Sequence, residues 1–181
     1  MEGLALRNVV LFIAMSLDGF IADQNGKVDW LNGHGGQEDA VDPYSIFIET
    51  VDTVIMGWNT YHQIVTELSP DQWIYQDLTS YVITHRELPS TDRIHFTHTD
   101  PCSLVRKLKL ASGKAIWICG GGTIIQPLMR SGLIDEYNIS IIPTILGAGI
   151  RLFAETDIAR NLRLLRTRSY NGITELIYAN R

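Results

Sequence analysis

Three consecutive glycines, Gly120-Gly121-Gly122, separate the apolar run Ala115-Ile116-Trp117-Ile118-Cys119 from the stretch Thr123-Ile124-Ile125-Gln126-Pro127-Leu128-Met129. The run has the length and β-branched content of a strand covered on both faces, and Ser131-Gly132 supplies a helix stop further on. Such a join suits phosphate. Glycine lets a ligand come within hydrogen-bonding reach of the backbone, and the first helical turn offers unpaired N–H groups and the positive end of the helix dipole. Pro127 is comfortable only in a first turn, so the helix is expected to begin between Gly122 and Gln126. Thr123 and Gln126 fit a capping box over that start. The alternative is a tight turn with no ligand, although a turn alone rarely needs more than one glycine.

Val54-Ile55-Met56-Gly57-Trp58-Asn59-Thr60-Tyr61 repeats the pattern: a buried strand, a glycine, a polar cap at Asn59 or Thr60, and a short helix through Val65. Two such turns at the carboxyl ends of parallel strands can hold opposite ends of one dinucleotide. Neither matches Gly-x-Gly-x-x-Gly after a first strand, and no lysine stands in a phosphate-loop pattern. Carboxylates that could donate a proton to a substrate are Asp18, Glu38, Asp39, Asp42 and Asp52. His95 and His98 have no third ligand nearby, so no metal site is expected.

The elements that must carry these residues alternate between strand and helix. Val9 to Met15 is a continuous apolar run, hence a central strand, which Ser16-Leu17-Asp18-Gly19 kinks into a second short extended piece. Asp23 to Gly36 is a polar, glycine-rich loop of the kind that covers sites, with Trp30 and Leu31 as pocket candidates. Asp42-Pro43 opens a helix whose face carries Tyr44, Phe47, Ile48 and Val51. Strands follow at Thr53 to Met56, Ser80 to Thr84 and Arg93 to Phe96, a helix at Pro101 to Ala111, and a strand at Tyr137 to Ile142. Asn171-Gly172 joins two last strands, Leu162 to Tyr170 and Ile173 to Ala179, in a hairpin. The fold class is therefore α/β in one domain: a mixed, mainly parallel sheet with helices on both faces and an antiparallel edge.

Bulk properties narrow the partners. The 181 residues can bury a substantial core unaided, and 45% hydrophobic with 19% charged residues is an ordinary globular composition. A net charge of −5 argues against nucleic acid. Cys102 and Cys119 are expected to be free thiols of a reducing cytosol. Val9 to Met15 is too short to span a bilayer, and no cleavage-like site follows it, so neither a signal peptide nor a membrane anchor is expected.

Four segments together resemble the dihydrofolate reductase fold, and within it the riboflavin-pathway reductase group, the RibD C-terminal domain. They are Ala14-Met15-Ser16-Leu17-Asp18-Gly19, Ile55-Met56-Gly57-x-x-Thr60, Cys119-Gly120-Gly121-Gly122-Thr123 and Pro143-Thr144-Ile145-Leu146-Gly147-Ala148-Gly149. The resemblance implies a three-layer αβα fold and NADPH as hydride donor. It implies cofactor contacts at Ala14, at Gly57, Trp58, Asn59 and Thr60, at Gly120, Gly121, Gly122, Thr123 and Ile124, and at Thr84, His85 and Arg86 near an adenosine 2′-phosphate. It also implies a cis bond between Gly120 and Gly121. Dihydrofolate reductases commonly carry arginine where this chain has Trp58, which leaves 2′-phosphate selectivity to Thr84, His85 or Arg86.

Their essential carboxylate aligns with Val41, flanked by Asp39 and Asp42, and Asp42 is equally explained as a helix cap. In the riboflavin-type reductases a lysine and an aspartate correspond to Phe12 and Asp52; the aspartate is present and the lysine is not. Asp18 stands either in its own turn or at the pocket. Pro143 to Gly149 reads as a substrate-side or interface loop. The expected activity is reduction of a small heterocyclic or ribosylamino-pyrimidine substrate, with dihydrofolate reduction or a catalytically inactive NADPH-binding protein as alternatives. Related proteins are often dimers, and the sheet edge at the final hairpin would serve a second copy.

Overall fold

The computed structural model describes residues 6–32, 42–155 and 158–181. Its centre is an eight-stranded sheet built of β1 (Val9–Ser16), β3 (Val51–Gly57), β4 (Thr79–Ile83), β5 (Ile94–Thr97), β6 (Ala115–Gly120), β7 (Glu136–Ile142), β9 (Leu162–Tyr170) and β10 (Ile173–Asn180), in the order β5-β4-β3-β6-β1-β7-β10-β9. All pairings from β5 to β7 are parallel, and β10 and β9 join antiparallel. A separate two-stranded antiparallel ribbon pairs β2 (Phe20–Ala22) with β8 (Ile150–Arg151).

Alternation along β1 decides which layer each side chain enters. Val9 and Leu11 join a buried cluster with Ile116, Ile118, Leu104 and Val105 of α3 (Pro101–Lys109), and Ile125 and Leu128 of α4 (Gly122–Arg130). Val10 joins the opposite cluster with Val54, Met56, Trp117, Phe47 of α1 (Pro43–Ile48) and Ile64, which follows α2 (Trp58–Gln63). Helices thus cover both faces, which gives the expected three-layer, mostly parallel architecture with its antiparallel hairpin. That hairpin turns through Asn171 at φ +48° and Gly172 at φ +74°, the two left-handed residues of a type I′ turn.

Several local expectations are corrected. Val51 belongs to β3, because α1 stops at Ile48 and a turn intervenes. Gly57, rather than Asn59 or Thr60, is the cap of α2, and no side chain caps that helix. The helix runs on as a π-helical turn, Ile64–Leu68. Thr123 and Gln126 form no capping box: α4 begins at Gly122 with Gly121 as its cap, and the Gln126 amide donates instead to the Leu152 carbonyl. Pro127 therefore lies inside the helix. Among the described residues no peptide bond is cis, so Gly120–Gly121 is trans, and the chain reverses through Gly121 at φ +90°, ψ 116°.

Candidate functional site

Parallel strands put their carboxyl ends on one edge of a sheet. Here Met56 pairs with Gly120, so the last residues of β3 and β6 emerge side by side. The two glycine bends touch: a Cβ built on Gly121 would lie 3.7 Å from the Gly57 nitrogen and 3.8 Å from its Cα. A Cβ on Gly57 would lie 3.3 Å from Ile124 Cγ1, and one on Gly120 would lie 3.6 Å from Thr60 Oγ1. Glycine is needed at Gly121 by conformation and at Gly57 by this close approach. The ends of α2 and α4 that carry unpaired N–H groups therefore open onto one space.

That space is a cleft of about 1740 Å³. Its described lining includes Ala14, Gly57 to Thr60, Thr84 to Arg86 and Gly120 to Ile124, so the cleft brings together every residue the sequence nominated for the cofactor. At the outer end Arg86 lies over the Trp58 indole, 4.7 Å from its centroid, while His62 stacks on Trp58 at 5.4 Å. Trp58, the departure from the usual arginine, is thus the platform that holds another arginine. Thr84 Oγ1 accepts from the Arg86 backbone N–H at 3.1 Å, and His85 faces His98 with ring centroids 6.3 Å apart.

The three nominated carboxylates lie elsewhere. Asp52 sits at the start of β3, five residues or about 17 Å of strand from Gly57. There it pairs with the Arg7 guanidinium and accepts from Thr53 Oγ1 at 2.8 Å and from the Lys114 N–H at 2.7 Å. Asp52 is a structural anchor, away from the cleft lining. Arg7 is buried, and its remaining partners are the Lys114 carbonyl and Thr53 Oγ1. Asp52→Asn is expected to lower unfolding stability by about 2 kcal/mol, because a buried guanidinium loses its counter-charge. Turnover per folded molecule stays within twofold; urea titration and steady-state kinetics on the same preparation check both.

Asp42 caps α1, accepting from the Tyr44 N–H at 3.0 Å, and the Ser45 hydroxyl helps hold its carboxyl below the ordinary range. Asp18 accepts from Ser16 Oγ at 2.6 Å and, across 128 residues, from the amides of Leu146 at 3.1 Å and Gly147 at 2.7 Å. It pins the 143–149 loop to the end of β1 and does not line the cleft. The Ser16 hydroxyl, then the two amides, bring its carboxyl from 3.8 down to about 2. A depressed carboxylate stabilises the fold fully above its unfolded value and loses that effect as pH falls through the folded value. Wild type should therefore lose more stability than Asp18→Asn between pH 4 and pH 2, read from urea midpoints at stepped pH. Glu38 and Asp39 lie outside the described residues.

Of the loop candidates, Leu31 lines the cleft while Trp30 turns to donate to the Lys27 carbonyl. Gln63 donates to the Gly26 carbonyl at 3.1 Å, which ties this loop to the helix behind the Gly57 bend.

The inner end holds residues the sequence did not nominate for the site. The Phe12 ring, two residues before Ala14 on the same face of β1, stacks on Phe47 with centroids 4.1 Å apart. Its edge partner is Trp117, whose Nε1 donates to the Phe12 carbonyl at 3.0 Å. Tyr44 and Tyr75 complete the wall, and the Tyr75 hydroxyl is 3.8 Å from Cys119 Sγ. Burial, then the adjacent Cys119, push the Tyr75 phenol far up; burial pushes the Cys119 thiol up to about 12. Both keep their protons at neutral pH. Trp117 and Cys119 alternate onto one face of β6 just before the glycines, a signal readable in sequence; Tyr75, from an irregular stretch, carried none.

Comparison with known proteins agrees with this geometry. The RibD C-terminal domain profile matches residues 7–175. Two uncharacterised Bacillus subtilis proteins are similar along nearly their whole length: YwjB is 38% identical, over 95% of this chain and 97% of its own. YyaP is 30% identical, over 98% and 97%. A protein attributed to riboflavin biosynthesis from Shewanella sp. PV-4 superposes with TM-score 0.82 at 29% identity, covering 96% of this chain and 99% of that one. The bifunctional deaminase and 5-amino-6-(5-phosphoribosylamino)uracil reductase of Thermotoga maritima shares the fold at TM-score 0.69 and 14% identity, over 97% of this chain and 57% of the longer enzyme.

Proposed function

Because the chain belongs to the RibD C-terminal domain family, we propose that it is a reductase which binds NADPH across the Gly57 and Gly121 bends and reduces a small heterocyclic substrate at the aromatic end of the cleft. The observation that carries this reading is the contact between the two bends, with Gly121 at φ +90°, a backbone that L side chains rarely adopt, and its would-be Cβ at ordinary contact distance, 3.7 Å, from the Gly57 nitrogen. The positive φ favours glycine at Gly121 and leaves a gap bordered by backbone amides, which is the form of a pyrophosphate cradle.

NADPH would supply a hydride to an electron-poor ring carbon and leave as NADP⁺. The chain's own contribution is placement. Thr60 and the amides of Gly122 and Thr123 would hold the phosphates, Arg86 would hold the 2′-phosphate from its seat on Trp58, and Ala14 would border the nicotinamide. Phe12 and Trp117 orient the acceptor ring, and the protonated Tyr75 hydroxyl is available to hydrogen-bond the heteroatom that becomes protonated. Among the described cleft residues the carboxylates are Glu67 and Asp100, the latter spent in capping α3. Glu38 and Asp39, beside the position that corresponds to the dihydrofolate reductase carboxylate, lie outside the described residues.

Arg86→Ala tests the orientation. The affinity for NADPH is expected to fall about tenfold, roughly 1.4 kcal/mol, while that for NADH changes less than twofold. An unchanged NADPH to NADH ratio in fluorescence titrations would remove the assignment of Arg86 and, with it, the proposed direction of the cofactor.

A further inference from the structure

Of the described residues lining the cleft, Lys27 and Arg86 are the only lysine and arginine. Residues 33–41, outside the described residues, contain neither lysine nor arginine. With Arg86 assigned to the nucleotide, Lys27 is the one lysine or arginine of the described lining left for a substrate, and it is solvent-exposed on the loop fastened to Gln63. The lining histidines stand with Arg86, His62 stacked on Trp58 and His85 against His98. The helix ends that could receive an anion are those beside the glycine bends, which the nucleotide occupies in the reading above. Among the described residues, a phosphate placed against Phe12, Tyr44, Tyr75 and Trp117 would exchange part of its hydration for ring surface with no lysine or arginine beside it, a costly exchange.

What these residues offer instead is ring surface. Phe12 has Phe47 on one face at 4.1 Å and 10°, with Trp117 across its edge at 89°, so its orientation is fixed before a ligand arrives. Tyr75 stands against Trp117 at 5.0 Å and 78°. The Tyr44 and Tyr75 hydroxyls and the Cys119 thiol are polar groups of the described wall, and each can hydrogen-bond an uncharged heteroatom.

Resting on the proposed function for the location of the nucleotide, we infer that the inner end of the cleft selects a flat, uncharged heterocycle that carries no phosphate, with Phe12 and Trp117 as the specificity-determining surfaces. Substrate selection differs on this point from a phosphoribosylated pyrimidine.

The test measures binding of lumazine at pH 6.5, and of 5-amino-6-(ribosylamino)uracil with and without its 5′-phosphate, by tryptophan fluorescence in the presence and absence of saturating NADP⁺. Wild type is expected to bind lumazine and the unphosphorylated uracil at least tenfold more tightly than the phosphate. Phe12→Leu, which keeps an apolar side chain, weakens lumazine at least fivefold while the NADPH affinity stays within twofold. Phe12→Lys shifts preference toward the phosphate by tenfold or more. Equal or tighter binding of the phosphate by wild type, indifference of lumazine to Phe12→Leu, or binding of none of the three compounds overturns the inference. If lumazine binds with this selectivity and NADPH does not bind at all, the inference stands and the proposed reductase function falls.

Discussion

Gly121→Val is expected to raise the dissociation constant for NADPH at least 100-fold, about 2.7 kcal/mol, in a protein that still folds. Gly121 sits at φ +90°, ψ 116°, where a β-branched residue is strained by roughly 1–3 kcal/mol. Its added atoms would start 3.7 Å from the Gly57 nitrogen and project into the gap between the bends. Strain alone would lower stability; obstruction would lower affinity. Gly19→Ala separates the two, because Gly19 has the same φ of +90° with nothing within 4 Å of its would-be Cβ, and it does not line the cleft. That variant should lose stability by about 1 kcal/mol and retain wild-type affinity. Paired urea unfolding and nucleotide titration read both quantities. If Gly121→Val binds NADPH normally, the bends are structural turns.

Arg168→Ala is expected to cost about 3–5 kcal/mol of stability. Glu175 is 0% exposed on β10; Arg168, its neighbour in register on β9, donates to Oε2, while Oε1 has no hydrogen-bond partner. Removing the arginine leaves a buried carboxylate without its counter-charge. For a chain of 181 residues, where 1 kcal/mol shifts the melting temperature by about 2–4 °C, the midpoint should drop by roughly 10 °C. The double variant Arg168→Met with Glu175→Leu should recover most of that loss, since two apolar side chains need no counter-charge. A loss below 1 kcal/mol for Arg168→Ala would show that the pair contributes little.

What could be read from sequence was local. Gly120 to Gly122 after an apolar run, Asp42-Pro43 at a helix start and Asn171-Gly172 between two strands each settle a few residues of backbone, and each stands where it was expected. The alternating βα order then leaves few sheet topologies. Long-range pairing was not legible. Nothing near Asp52 announces that Arg7, 45 residues earlier, will neutralise it, nor near Asp18 that amides 128 residues on will claim its oxygens. Asp52 was nominated through its correspondence to an aspartate of the riboflavin-type reductases and Asp18 as either a turn or a pocket residue; the structure holds both in contacts within the scaffold. Trp58 was read as a cofactor contact that leaves 2′-phosphate selectivity to Thr84, His85 or Arg86, and its indole supports Arg86 from the adjacent β4 turn. Only the pairing of β3 with β4 brings those two together.

Capture of a reduced nicotinamide nucleotide between the Gly57 and Gly121 bends is the one event on which the proposed function depends. Thermal unfolding with increasing NADPH tests it most directly, because a ligand bound only by the native state stabilises it by about 2.7 kcal/mol at one hundred times its dissociation constant. For a chain this size the midpoint should rise by roughly 5–10 °C, with NADPH more effective than NADH. A midpoint that stays put at millimolar NADPH would contradict the account.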